Sequence, residues 1–371
     1  MPQSDNLDTA DRPLPLPFVA QGPLYTPGRV MQDSARPVFR LSNNESPLGI
    51  GELAAQAVRD AAGSQHVYPD PDGMALAEAL GEAHGIDPSR VLIGPGSESI
   101  INWIILGWVG VGDEVLYSAH GFQAYRIRAM TAGAMPVAVA ERNLRIDVDA
   151  LLSAVTERTR IVFVANPNNP TGTFITPAEI ARLRAELRSN IMLVVDEAYC
   201  EYVADPEYSS VLQMVDAKAE NVIVLRTFSK FYGLAGLRVG WAYAPRFAVD
   251  ALSRVSGPYA VSRVALEAAQ AAMRDQAHCD AARRHNDIWL AWTSEHIRSL
   301  GYETTDSVCN FVTMKIPGGA EAAVAFDKKL CSLGFVGRLA HQNALPDWLR
   351  LTIGSAEAMQ TLIPALETLI E

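Results

Sequence analysis

Short apolar runs alternate with helical patterns along the chain from about residue 50 onward. Several runs are apolar at every position rather than at every second one, which is typical of strands covered on both faces. The segments between them are long enough for crossover helices, so the pattern predicts a mainly parallel sheet flanked by helices. The predicted strands are 91–93, 114–117, 136–139, 161–165, 191–195, 222–225 and 239–243.

The pattern changes after about residue 258, where long helical stretches lead into a shorter α+β segment. The predicted elements there are helices over 258–275 and 279–299, a strand over 349–353 and a last helix over 355–370. We therefore expect a large domain over 45–258 and a small C-terminal domain over 259–371. Residues 1–44 are predicted to form an N-terminal arm that partly joins the small domain. Its first 36 or so residues are rich in Pro, Asp and Gln, which favours an extended, partly disordered segment.

Length and composition narrow the possible functions. The chain has 371 residues, which is enough for two domains with a large core. Its formal net charge of −11 argues against a nucleic-acid partner, and an anionic substrate would need a local cluster of arginines. No apolar run approaches the roughly 20 residues of a membrane helix. The four cysteines lack paired spacing and the N-terminus lacks a signal-peptide core, so we expect a cytoplasmic protein.

Two ionisable residues directly follow apolar runs. Lys230 lies shortly after the run 222–225, among small and glycine residues. At the rim of a buried sheet it would lose solvation, which lowers its pKa and frees its amine as a nucleophile. Asp196 ends the preceding run and can pair with a protonated ring nitrogen. Together they suggest a lysine joined covalently to pyridoxal phosphate, with an acidic partner for the pyridine nitrogen.

Other candidate residues fall at the carboxyl ends of the predicted strands, where such sheets bind their ligands. Tyr199 and the segment 166–172 follow two of the strands. The glycine turn 94–98 opens a helix, whose free backbone N–H groups suit a phosphate. Arg238 can pair bidentately with the same phosphate. Phe122 can stack on the face of the ring.

Each of these residues alone also has an ordinary structural explanation. Lys230 can be a surface lysine after a strand, Asp196 a helix cap and Tyr199 a half-buried tyrosine. The glycine turn can be only a turn, Arg238 a partner in a surface salt bridge, and Phe122 a core aromatic. Their occurrence together, at matching strand ends, favours the functional interpretation.

The same residues lie in motifs that cover the chain from about Tyr25 to the last helix. The motifs are YTPG at 25–28, LSNNESPLG at 41–49, YPD at 68–70, GPGSE at 94–98, NPNNPTG at 166–172, DEAY at 196–199, SK at 229–230 with AGLR at 235–238, and LRLTIG at 349–354. With these motifs the chain resembles the histidinol-phosphate aminotransferases, a branch of the class II, fold type I pyridoxal-phosphate aminotransferases. The blocks at 166–172 and 229–238 are typical of the superfamily, whereas 43–49 and 196–199 indicate this branch.

The resemblance implies the fold type I architecture, a pyridoxal 5'-phosphate cofactor and a homodimer. Lys230 would hold the cofactor, Asp196 would pair with its pyridine nitrogen, and Phe122 would stack on its ring. Asn169 and Tyr199 would bond the ring oxygen. The residues implied to hold the phosphate are Ser97 and Glu98 through their backbone amides, Ser229, Arg238, and Tyr68 from the neighbouring subunit.

The resemblance also implies the substrates. Arg350 would bind their anionic end, and Tyr25, Asn44 and Arg338 would help to line the pocket. The implied reaction is a ping-pong transfer between L-histidinol phosphate and 2-oxoglutarate, giving imidazole-acetol phosphate and L-glutamate in histidine biosynthesis. Lys230 would carry the proton.

One segment departs from the family pattern. AHGF stands at 119–122, where many relatives have Pro-Thr-Tyr or Pro-Thr-Phe. His120 either contacts the substrate or stabilises the loop. The remaining histidines show no metal-ligand spacing, so we predict no metal site.

Three alternative functions share the predicted cofactor. An aromatic-amino-acid aminotransferase is possible, because an arginine that accepts a phosphate also accepts a carboxylate. A phosphothreonine decarboxylase would have the same cofactor residues. A non-catalytic pyridoxal-binding regulator usually carries a basic DNA-reading domain before this fold, and the segment here is short, acidic and rich in proline.

Overall fold

A computed structural model describes residues 13–24, 37–215 and 220–369. The helices are α1 (Pro17–Ala20), α2 (Glu52–Ala61), α3 (Met74–His84), α4 (Ser97–Trp108), α5 (Gln123–Thr131), α6 (Val148–Ser153), α7 (Pro177–Glu186), α8 (Arg246–Ser256), α9 (Arg263–Arg274), α10 (Gln276–Ser299), α11 (Gly319–Ser332) and α12 (Ala356–Glu367). The strands are β1 (Phe39–Arg40), β2 (Val91–Gly94), β3 (Glu114–Ser118), β4 (Met135–Val139), β5 (Thr159–Ala165), β6 (Met192–Asp196), β7 (Val222–Thr227), β8 (Gly240–Tyr243), β9 (Phe311–Lys315), β10 (Phe335–Val336), β11 (Arg338–Leu339) and β12 (Trp348–Thr352). Over these described ranges, no helix has the length and apolar character needed to span a bilayer.

Seven strands form the central sheet, in the order β2-β8-β7-β6-β5-β3-β4. β8 runs antiparallel to both of its neighbours, and every other adjacent pair beyond it is parallel. All seven predicted strands are present, with ends shifted by at most two residues. The predicted mainly parallel sheet is therefore confirmed.

Both faces of this sheet are buried, which explains why its strands are apolar throughout. On β5, Val162 and Val164 belong to the core on one face, and Ile161 and Phe163 to the core on the other. Successive side chains of a strand point to opposite faces, so a strand covered on both sides needs apolar residues at every position.

A second, smaller sheet has the order β11-β12-β9, with antiparallel pairing. The long helices α10, α11 and α12 pack around it. β1 pairs in parallel with β10, and Leu41 is buried in the same small core. The segment Phe39–Leu41 is thus connected to the C-terminal part of the chain.

The packing of helix α9 bears on the predicted boundary between the large and the small domain. The sequence assigned residues from 259 onward to the small domain, but Ala265, Ala268 and Ala269 of α9 are buried in the core beside the large sheet. The helix also packs against α2. We therefore propose that the small domain begins at α10, after a large domain that includes α9.

Candidate active site

A cavity of about 240 Å³ lies where the carboxyl ends of β5, β6 and β7 meet β11 and β12. This is the edge at which parallel sheets bind their ligands. Every site residue predicted from the sequence lines it, except Tyr25 and Tyr68. The predicted residues in the lining are Asn44, Ser97, Glu98, Phe122, Asn169, Asp196, Tyr199, Ser229, Lys230, Arg238, Arg338 and Arg350.

The two exceptions have different reasons. Tyr25 lies outside the described residues. Tyr68 is 75% exposed and stacks on Tyr259, with 4.6 Å between the ring centroids. It is not part of the lining of its own chain's cavity.

One end of the cavity has the features of an anion-binding site. Helix α4 begins at Ser97, so its first backbone N–H groups lack partners within the helix. Arg238 lies beside them and donates from Nη1 to the Ser229 hydroxyl oxygen at 3.1 Å. A Cβ atom at Gly96 would lie 2.5 Å from Arg238 Nη2, and one at Gly240 would lie 2.6 Å from the Ser97 nitrogen. Glycine at both positions lets the guanidinium and the helix terminus converge, which suits a phosphate group.

Asp196 places a carboxylate deep in the cavity. Its Oδ2 accepts a hydrogen bond from the Tyr125 hydroxyl at 2.8 Å, and its Oδ1 accepts one from the Ala198 backbone N–H at 3.2 Å. Burial nevertheless raises the pKa of this carboxyl to about 6. The group is therefore mostly ionised at neutral pH, and a buried negative charge favours a cationic partner.

Tyr125 was not predicted from the sequence. It lies on α5, three residues after Phe122, and three residues on a helix bring two side chains to one face. Its ring also stacks on Phe163, with 4.4 Å between the centroids. The spacing from Phe122 was the available signal, but only the fold shows that this face meets Asp196.

Tyr199 presents a hydroxyl to the same cavity. Its oxygen accepts hydrogen bonds from Asn44 Nδ2 at 2.9 Å and from Asn169 Nδ2 at 3.2 Å. A phenol oxygen has two lone pairs, so its hydrogen remains available to donate to a ligand. Burial raises the pKa of Tyr199, which keeps it protonated at neutral pH.

Lys230 has the lowered pKa that its sequence position predicted. Burial lowers the pKa of its amine to about 7, and the nearby charge of Arg350 acts in the same direction. Its Nζ donates to the Asn43 backbone oxygen at 2.7 Å. A large fraction of this amine is thus neutral near pH 7 and able to act as a nucleophile or base.

Two arginines face each other on adjacent strands of the small sheet. Arg338 on β11 is in register with Arg350 on β12. Arg350 donates to Asn169 Oδ1 and, at 2.6 Å, to the Ser42 backbone oxygen, and its guanidinium lies over the Phe311 ring. Like charges directly opposite across a sheet are destabilising, so an anion between them would offset their repulsion. The chemistry of the pair suits a second anion-binding subsite.

His120 does not line the cavity. Its Nδ1 lies 2.8 Å from the Asn343 backbone oxygen, so it stabilises the loop in this structure. Asn343, which does line the cavity, was not predicted from the sequence. Other lining residues for which no individual role was predicted are Asn43, Gln123, Ala165, Pro167, Ala198 and Thr227.

Comparisons with known proteins agree with this fold and site. Residues 36–366 match the family model "Aminotransferase class I and II". The histidinol-phosphate aminotransferase of Paramagnetospirillum magneticum is 43% identical over 359 residues, covering 96% of this chain and 99% of that protein. The enzyme of the same name from Dinoroseobacter shibae is 44% identical over 352 residues, covering 95% and 96%.

A solved structure extends the comparison. The histidinol-phosphate aminotransferase of Sinorhizobium meliloti, in complex with pyridoxal-5'-phosphate, superposes with a TM-score of 0.86 at 29% identity. The match covers 90% of this chain and 92% of that one. The cavity described above fits such a group, because it combines an anion cradle, a buried carboxylate, a hydroxyl donor and a lysine amine.

The fold and the site therefore define an aminotransferase of fold type I, as the sequence predicted. The chain belongs to the class I and II aminotransferase family. Within that family it is similar to proteins named histidinol-phosphate aminotransferase, the branch that its motifs indicated.

Proposed function

We propose that this chain is an aminotransferase that uses L-histidinol phosphate and 2-oxoglutarate, giving imidazole-acetol phosphate and L-glutamate in histidine biosynthesis. The pairing of Arg338 with Arg350 is the observation that carries this proposal. A phosphate monoester has between 1.5 and 2 negative charges at neutral pH, roughly, and so matches two guanidinium groups. Phenylalanine and tyrosine offer a single carboxylate. The two carboxylates of 2-oxoglutarate also suit a pair of arginines.

The cofactor is pyridoxal 5'-phosphate, which when bound withdraws electrons from the substrate carbon that bears the amine. Lys230 would hold it covalently, and its free Nζ would then carry the proton to and from that carbon. Asp196 would keep the pyridine nitrogen charged, because a buried carboxylate stabilises a facing cation. Asn169 and Tyr199 would bond the ring oxygen.

The other cofactor contacts follow from the anion cradle. The backbone amides of Ser97 and Glu98, with Ser229 and Arg238, would hold the phosphate. Phe122, which directly precedes α5, would stack on the ring. These roles are supported by the common cavity and by the glycine positions that shape it.

We further propose a cytoplasmic homodimer in which Tyr68 reaches the phosphate of the partner subunit. Tyr68 is strongly exposed, as is the neighbouring Val67, and Tyr259 packs against it. Adjacent exposed apolar and aromatic side chains mark protein interaction surfaces. A tyrosine there can bury its ring while its hydroxyl donates to an anion.

An aromatic-amino-acid aminotransferase is the main alternative. The cavity lining includes Asn43 and Gln123, whose side chains carry amides. An imidazole ring can exchange hydrogen bonds with such amides, whereas a phenyl ring would leave them without a partner. The lining therefore favours histidinol phosphate.

Steady-state assays with 2-oxoglutarate and each amino donor test this choice. We expect kcat/KM for histidinol phosphate to exceed that for phenylalanine and for tyrosine by about 10²-fold or more, because an unmatched polar site discriminates strongly. Equal or higher values for either aromatic amino acid would show that the donor is wrong. Release of carbon dioxide from phosphothreonine would instead identify a decarboxylase.

Replacing Arg350 with alanine should weaken both substrates together. The side chain is buried, and truncating one member of a buried charged contact costs about 2–5 kcal/mol, or roughly 30- to 4,000-fold in kcat/KM. Kinetics of both half-reactions measure the effect. Arg246→Ala is a matched control, since Arg246 is exposed, contacts Asp250 and the Ser89 backbone oxygen, and is not among the cavity-lining residues. A loss confined to glutamate would contradict a shared anion site.

A further inference from the structure

A reciprocal pair of hydrogen bonds joins the large domain to the small one beside the cavity. His120 lies in the loop 119–122 between β3 and α5, and Asn343 lies in the short turn His341–Asn343 between β11 and β12. His120 Nδ1 is 2.8 Å from the Asn343 backbone oxygen, and Asn343 Nδ2 donates to the Gly121 backbone oxygen at 2.7 Å. A carbonyl oxygen only accepts, so we assign the hydrogen to His120 Nδ1.

Each side of this contact carries one half of the site. The loop 119–122 ends in Phe122, which lines the cavity and starts the helix that carries Tyr125. The turn with Asn343 connects the strands of Arg338 and Arg350. The two hydrogen bonds therefore connect the loop that ends in Phe122 with the turn between the two arginine strands.

An apolar contact supports the same junction. Ala340, Leu345 and Trp348 form a small buried cluster, and Leu144 of the large domain packs against it. Apolar contacts are not directional, so they hold the surfaces together without setting their register. Hydrogen bonds require specific distances and angles, and Asn343 is only 8% exposed. The polar pair is thus the part of the junction able to set the geometry.

We propose that His120 and Asn343 are positioning residues, which keep Phe122 and the arginine pair at the separation that one bound substrate requires. The proposal rests on the proposed function, since it assigns these arginines to the substrate anion. Neither residue needs to exchange protons with the substrate. Their effect is transmitted through Gly121 and Phe122 on one side and through β11 and β12 on the other.

Hydrogen exchange in the cofactor-loaded enzyme tests the connection directly and does not depend on the donor. In His120→Phe, which keeps a ring but loses the donor, we expect faster exchange of the Ala344 and Leu345 amides across the contact. In Asn343→Ala we expect faster exchange of the Gly121 amide, which bonds to the Ser118 oxygen. His120→Asn retains an N–H donor at a similar position and should restore the wild-type pattern. Changes confined to the substituted loop would overturn the proposal.

Kinetics supply the second readout. Both single variants should raise KM for the amino donor and for 2-oxoglutarate by about 10-fold, the effect of one buried hydrogen bond. Borohydride labelling of Lys230 should be unchanged, because neither variant alters Lys230 or the phosphate cradle. The double variant should be less impaired than the product of the two single effects, since the residues act as a unit. Unaltered KM values, or fully independent effects, would contradict the pairing.

Exposed neighbours provide matched controls. His341 and Gln342 lie in the same turn as Asn343 and are exposed. Their alanine variants should leave both exchange and kinetics unchanged. If His120→Phe fails to fold, hydrogen exchange of the Gly121 amide in the Asn343→Ala variant tests the proposal. If the wild-type enzyme were inactive with histidinol phosphate while the variants showed the expected changes in hydrogen exchange, the proposed substrate would be refuted and the positioning role retained.

Discussion

The Lys230→Ala variant is expected to lose turnover by at least about 10⁴-fold, with every substrate tested. Removing a positioned proton-transfer group alone costs up to about 10⁴-fold, and here the same amine also holds the cofactor. The lowered pKa of Lys230, about 7, is what makes this amine reactive at neutral pH. The phosphate cradle is left intact, so the variant should still bind pyridoxal phosphate.

Covalent labelling distinguishes attachment of the cofactor to Lys230 from a purely structural role of this lysine. Borohydride treatment of the loaded wild type should attach one cofactor to the peptide that contains Lys230, and mass spectrometry of the variant should find none. Lys315→Ala is the matched control, because Lys315 is 44% exposed in its side chain and pairs with Glu303 on the small domain. Surviving turnover in Lys230→Ala, or a label on another lysine, would disprove the assignment.

The Arg226→Met variant is expected to lower the stability of the fold by about 3–5 kcal/mol. Arg226 donates to the Glu197 carboxylate at 2.9 and 3.0 Å, and both side chains are almost completely buried. Without Arg226, the negative charge of Glu197 remains in the interior with Ser210 and the Val211 backbone N–H as donors. The nearby Glu201 carboxylate, 3.9 Å from Arg226, also loses its cationic neighbour. Urea and thermal unfolding midpoints measure the loss.

A double variant gives the decisive control for this pair. Arg226→Met combined with Glu197→Leu removes both charges, and replacing a whole buried pair by apolar residues is often neutral. Most of the lost stability should therefore return. The surface variant Arg246→Met should change the midpoints little. A double variant as unstable as the single one would show that packing, rather than the buried charge, explains the effect.

The large sheet and its ligand edge were predictable because burial on two faces leaves a continuous apolar signal. Asp196, Tyr199 and Lys230 stand directly after such runs, and parallel topology brings the ends of those runs together. Local sequence and this one topological rule were sufficient to predict that these residues meet at one edge of the sheet.

The remaining contacts depend on tertiary geometry that no local pattern encodes. The pairing of Arg338 with Arg350 depends on the path of the turn between β11 and β12. The bonds from Tyr125 to Asp196 and from Asn343 to Gly121 join segments 71 and 222 residues apart. Helix α9 has an amphipathic pattern that suits either domain. Only the structure shows that its apolar face packs in the core beside the large sheet.

The parallel pairing of β1 with β10 has a consequence for synthesis on the ribosome. Phe39 leaves the exit tunnel long before its partner Phe335 has been translated, a delay on the order of 15 to 60 s at typical elongation rates. The central sheet is complete by residue 243, so it can assemble while the early strand waits without a neighbour. The small domain is therefore completed last, when an early-synthesised strand pairs with a late one.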